Sequence, residues 1–133
     1  AVILGPASMD GGIAAFHQAW ERGLRPTAVL TMSDAMAIGA LRAARELGLR
    51  VPSDLSIVGF DDLDVAQYTD PPLTTVRQPI RQKGEEAVRL VLGGGRQRDP
   101  LEPAEHQFAT HLVVRGSTAP APHTRQEVAD DKM

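Results

Sequence analysis

Two short apolar runs in this chain end abruptly in carboxylates. Ala28-Val-Leu-Thr-Met runs into Ser33-Asp34, and Leu55-Ser-Ile-Val-Gly-Phe runs into Asp61-Asp62. An ionised carboxylate accepts charge-assisted hydrogen bonds from two neighbouring hydroxyls of a polyol. Asp61 is therefore the leading candidate for contact with a small hydroxylated ligand. The competing role is local, because Asp61 and Asp62 could simply cap the turn that follows. Ser33 and Asp34 face the same choice: at least one caps the next helix, and the other is left to face a ligand. Gln78 follows an extended segment, and its amide can both donate and accept. By spacing alone it is no different from any surface glutamine.

Other chemistries find less support. A metal site in Asp61, Asp62 and Asp64 would rest on adjacent carboxylates without the Gly and Glu pattern of a calcium loop. His17, His106, His111 and His123 are scattered, with no serine or carboxylate at a spacing that would make a nucleophile and base. No catalytic residue, metal or cofactor is expected. Gly93-Gly94-Gly95 follows a helical stretch instead of opening one, and Gly5 to Gly12 lacks the spacing of a dinucleotide loop.

The 133 residues suffice for one domain with a real core. A net charge of -3 offers no basic footprint for nucleic acid. Cysteine is absent, which removes disulfides, thiolate chemistry and cysteine-built zinc sites. No apolar run approaches the roughly 18 residues that a membrane span needs. The chain starts with Ala directly on a strand-like run, as a piece of something longer would.

Positioning the carboxylates requires strands. Thr27 to Met32 and Leu55 to Phe60 read as strands buried on both faces. Between them, Ala35 to Leu47 reads as a helix stopped by Gly48, with Arg42, Arg45 and Glu46 as its only polar stripe. Gly39, Ala40 and Ala43 would let it approach a sheet closely. Strand, helix, strand is a right-handed parallel crossover, and ligands sit beyond the carboxyl ends of such strands. Upstream, Val2 to Leu4 reads as a short strand, and Met9 to Arg22 as a helix with Ile13, Phe16 and Trp20 on its apolar stripe. Ser8 or Asp10 would cap it, and His17 is a partly exposed structural residue. Downstream, one helical turn is expected around Val65 to Tyr68, then an extended run from Leu73 to Gln78. A helix follows, opened by Pro79, with an apolar face of Gly84, Ala87, Val88 and Val91. A polar loop with Pro100 and Pro103 leads to a last strand, Phe108 to Val114. Residues 119–133 have the composition of a disordered tail.

Several of these stretches are familiar as sequence. Arg25-Pro-Thr-Ala-Val-Leu, Ser33-Asp-Ala-Met-Ala-Ile-Gly-Ala-Leu-Arg-Ala, Gly48-Leu-Arg-Val-Pro-Ser-Asp-Leu-Ser-Ile-Val-Gly-Phe-Asp-Asp, Thr69-Asp-Pro-Pro-Leu-Thr-Thr-Val-Arg-Gln-Pro and Leu112-Val-Val-Arg-Gly-Ser-Thr stand in one register. Together they closely resemble the LacI/GalR family of bacterial transcriptional regulators. The resemblance implies an α/β fold, periplasmic-binding-protein-like of type I, with a parallel sheet flanked by helices and an incomplete second subdomain. Residues 1–118 would be the C-terminal portion of the effector domain, with 73–95 crossing toward a missing N-terminal subdomain. It further implies a sugar-type effector, a homodimer, operator DNA reached only through an absent headpiece, a cytoplasmic location and no membrane contact. Carried over by motif, Asp61, Ser33 and Gln78 are the ligand-side residues. Where many members place an aromatic ring against the sugar, this chain has Ala7. A periplasmic sugar-binding protein of an ABC transporter shares the fold and is the alternative.

Overall fold

The computed structural model describes residues 1–93 and 106–121. The order of elements is α1 (Met9–Glu21), β1 (Ala28–Leu30), α2 (Asp34–Glu46), β2 (Ser56–Asp61), a 3₁₀ turn (Asp64–Tyr68), β3 (Thr74–Arg77), α3 (Ile80–Gly93) and β4 (His111–Val113). The four strands form one sheet in the order β1-β2-β3-β4. β1, β2 and β3 are parallel neighbours, whereas β4 runs antiparallel to β3. The sheet is parallel over β1 to β3, as the α/β reading expects, and takes one antiparallel strand at its β4 edge.

Local signals set the helix ends. The Ser8 hydroxyl accepts from the Gly11 amide to start α1, and Ser33 does the same for α2 through Met36. Gly23 (φ 77°) and Gly48 (φ 74°) follow the helix ends in the left-handed conformation that glycine enters freely. α2 is buried over most of its girth, and its Ala37, Ala40, Leu41, Ala43 and Ala44 join Phe16, Leu55, Ile57, Ala66 and Leu73 in the core. Gly39, expected to meet the sheet, instead faces α1. A side chain there would collide with the backbone of Met9 and Ile13, as one at Gly12 would with Met36. The two helices therefore cross with almost no side chain between them.

The far end of the chain is sewn into the sheet's centre. Ser117 is fully buried. Its hydroxyl donates to the Ile57 carbonyl at 2.6 Å and accepts from the Thr74 amide at 2.8 Å. Its own carbonyl accepts from the Ile57 amide at 2.9 Å. Ala119 continues the seam to the Ser56 hydroxyl at 3.1 Å.

Three further expectations change. Val2 to Leu4 joins no strand, and Val2 and Leu4 are exposed; a short apolar run becomes a strand only where an open edge takes its hydrogen bonds. β1 and β2 are covered on one face only. Val29 and Ile57 point into the core, but Leu30 is 80% exposed and Leu112 64% exposed on the opposite face. α2 packs on the Ile57 side of β2, whereas Val58 and Phe60 on the other face are only half-buried. The expected strand from Phe108 to Val114 shortens to His111–Val113. Gly94, Gly95, Pro100, Pro103 and most of the expected tail lie outside the described residues.

Candidate functional site

The apolar run of β2 ends at Asp61, and there the backbone turns sharply. Asp61 has φ 117° and Asp62 φ 59°, both on the side of conformational space that L residues avoid. Each such residue costs about 1–3 kcal/mol and persists only where its surroundings enforce it. Two guanidiniums hold the Asp62 side chain at this turn. The Asp62 carboxylate, 7% exposed, accepts from Arg77 Nε and from Arg115 Nη2, each at 2.6 Å. Arg115 is itself fixed, because its Nη1 donates to the Leu73 carbonyl at 2.8 Å. Burial opposes the charge on Asp62, but Arg115 and Arg77 outweigh it and hold the carboxyl below its ordinary value.

Asp61 faces the other way. Its Oδ1 accepts from the Gln78 amide nitrogen at 2.6 Å, and Gln78 Oε1 accepts from Lys83 Nζ at 2.6 Å. Among the described residues, nothing donates to Asp61 Oδ2. Asp61 and Gln78, picked separately in the sequence, are thus brought into direct contact, with Lys83 of α3 as an unforeseen third member.

Ser33 stands three residues beyond Leu30 and Asp61 three beyond Val58, the partner of Leu30 across the parallel pair. Both therefore lie at the carboxyl edge of the sheet. The Ser33 oxygen caps α2 at 3.2 Å from the Met36 amide, which leaves its hydroxyl hydrogen to donate elsewhere. Asp34 does not take up the ligand-facing role left open for it. It is fully buried, accepting the Thr75 hydroxyl at 2.5 Å and the Leu63 amide at 2.7 Å. It ties α2 to β3 and to the loop after Asp62. A side chain at Gly59 would strike this carboxylate.

A separate cleft of about 240 Å³, lined by Leu41, Arg45, Leu49, Arg50, Val51, Asp70 and Pro71, lies at the amino end of β2, away from Asp61. Its Arg50 is already engaged by Asp54 at 2.7 Å. Among the described residues, no group of three His, Asp or Glu side chains is placed to hold a metal ion. No helix among them is long and apolar enough to cross a membrane.

The family model for the periplasmic binding protein-like domain matches residues 4–118. The HTH-type transcriptional regulator MalR of Streptomyces coelicolor is 51% identical over 120 residues, covering 89% of this chain and 33% of the regulator. The chain belongs to the LacI-type periplasmic-binding-protein-like domains. It spans about a third of the curated relatives it matches. Two solved LacI-type proteins have similar structures. One is the complex of the transcriptional regulator CelR with cellobiose (TM-score 0.70, 37% identity, 85% of this chain and 34% of that one). The other is the Lac repressor dimer bound to operator and an anti-inducer (TM-score 0.69, 36% identity, 86% and 39%). In this LacI-type chain the residues that the sequence did not single out are Arg77, Arg115 and Lys83. Arg77 stands opposite Asp61 in the β2–β3 register, so a charge-matched pair of strand ends was the one available signal. Arg115 lies 53 residues from Asp62 and left none.

Proposed function

We propose that this chain is the effector-binding and dimerisation part of a LacI-type DNA-binding transcriptional repressor. Its effector is a sugar or related polyol, and it carries out no turnover. Residues 1–118 form one wall of the binding cleft, and 73–95 lead toward a second subdomain. Operator DNA is reached only through a headpiece elsewhere in the intact protein, which works in the cytoplasm.

The observation that carries this reading is Asp61. Its carboxylate stands at the carboxyl end of a central parallel strand, on a backbone held in a costly conformation. One of its oxygens is bonded to an amide and the other is left for hydroxyl donors. Gln78 and the hydroxyl hydrogen of Ser33 supply complementary groups at the same edge. Effector contacts here favour one closure of the cleft, and the dimer passes that state to the headpieces. The similar CelR complex holds cellobiose, which supports a saccharide as the class. The transporter alternative is not favoured, since the relatives that match are transcriptional regulators. In the intact protein, Asp61→Ala should abolish the response to effector while operator binding persists. Unchanged induction in that variant would sink the assignment.

A further inference from the structure

We propose that Asp62 and Arg115 are positioning residues, whose ion pair aims the Asp61 carboxylate at the ligand. The inference rests on Asp61 being a ligand contact. Three observations carry it.

First, the Asp61–Asp62 backbone is left-handed at both residues, without glycine. Such a pair relaxes unless something holds it. Second, the hold is on Asp62 and is complete. Its Oδ1 is taken by Arg115 and its Oδ2 by Arg77, and the carboxylate is almost entirely buried. Rotating Asp62 away would strand a buried charge. Third, Arg115 is anchored independently of Asp62. Its side chain donates to the Leu73 carbonyl and its backbone amide to the Thr74 hydroxyl at 2.9 Å. Leu73 and Thr74 belong to the buried start of the β3 segment. The clamp thus runs from the sheet's centre through Arg115 to Asp62. The shared Asp61–Asp62 peptide passes it to the Asp61 side chain and its Gln78 partner. A short carboxylate needs such a fixed base, because two hydroxyls are matched only within a narrow range of angles.

A purely structural ion pair would affect stability alone, so the test reads the geometry of Asp61 directly. In the intact protein without ligand, the side-chain amide resonances of Gln78 report its bond to Asp61. Asp61→Asn defines where they move when that bond is altered. Asp62→Asn and Arg115→Ala should move them toward the same position, and Arg115→Lys, which keeps one contact, should move them less. Should Arg115→Ala fail to fold, Arg115→Lys carries the measurement. A lowered melting temperature with the Gln78 resonances unmoved overturns the proposal.

Calorimetry with cellobiose as the probe supplies the second reading. Asp62→Asn should weaken binding roughly tenfold, the scale of a lost charge-assisted hydrogen bond. In an Asp61→Asn background the same change should add nothing. Additive losses overturn the clamp. If instead cellobiose binds without depending on Asp61, the ligand reading falls; in that case, as when cellobiose does not bind, the Gln78 resonances still decide the positioning role.

Discussion

Single residues at the carboxyl edge of the sheet divide into those that hold the fold and those that face outward. Asp34 belongs wholly to the first kind. Asp34→Ala would leave the Leu63 amide and the Thr75 hydroxyl without partners, and should cost roughly 3 kcal/mol in a urea titration. Ser33→Ala should cost about 1 kcal/mol through the lost cap, whereas Ser33→Gly should cost only a few tenths. Asp62 adds a pH signature. A carboxyl held below its ordinary value stabilises the fold above its unfolded pKa, about 3.9. That contribution is lost as pH falls through the lowered folded value. The urea midpoint should therefore drop below about pH 4, and Asp62→Asn should remove this part of the acid limb. An acid limb identical in wild type and variant would contradict the ion-pair account. Asp61 was legible in the sequence because an apolar run stops there. The clamp behind it was not, since Asp62 and Arg115, 53 residues apart, meet only through the sheet.

At the scale of elements, two glycines in helices should respond oppositely to the same substitution. Gly84, in α3, has open space where a side chain would go, so Gly84→Ala should gain about 1 kcal/mol from helix propensity alone. Gly39, in α2, offers the same propensity gain but meets the α1 backbone. Forcing two helices apart costs more than propensity returns, and Gly39→Ala should lose roughly 2 kcal/mol net. Thermal melts of the two variants on either side of wild type would show this; shifts of one sign would refute it. Helix extents were readable because capping serines and terminal glycines are local signals. Which neighbour Gly39 meets was not, because small residues announce close approach without saying to what. The strands were harder still. Leu30 carries the same apolar signal as Ile57, yet the first is exposed and the second buried, because burial on a sheet's second face depends on what lies across it.

For the molecule as a whole, that second face is the dominant feature. Leu30 and Leu112 lie open on it, and Ile80, Val88, Val91 and Leu92 are exposed along α3. Apolar surface of this extent is unusual on an isolated monomer. The 133-residue chain on its own should therefore sediment faster as concentration rises. Leu30→Glu combined with Leu112→Glu should reduce that association, and a clean monomer at high concentration would count against the expectation. The order of elements along the chain was readable at this scale, from the first helix to the last strand. The uncovered face was not, since periodicity reports what a strand expects and not whether it is present.

The seam formed by Ser117 also sets a schedule. A ribosome releases β2 and β3 long before the residue that ties them together. At roughly 5–20 residues per second, the interval between Thr75 and Ser117 is a matter of seconds. Throughout it, the Ile57 carbonyl and the Thr74 amide wait for the Ser117 hydroxyl, and Asp62 waits for one of its two arginines. The nascent chain must hold these groups in water or in the care of a chaperone until then. The carboxyl edge of the sheet is thus locked only after Arg115 has been made.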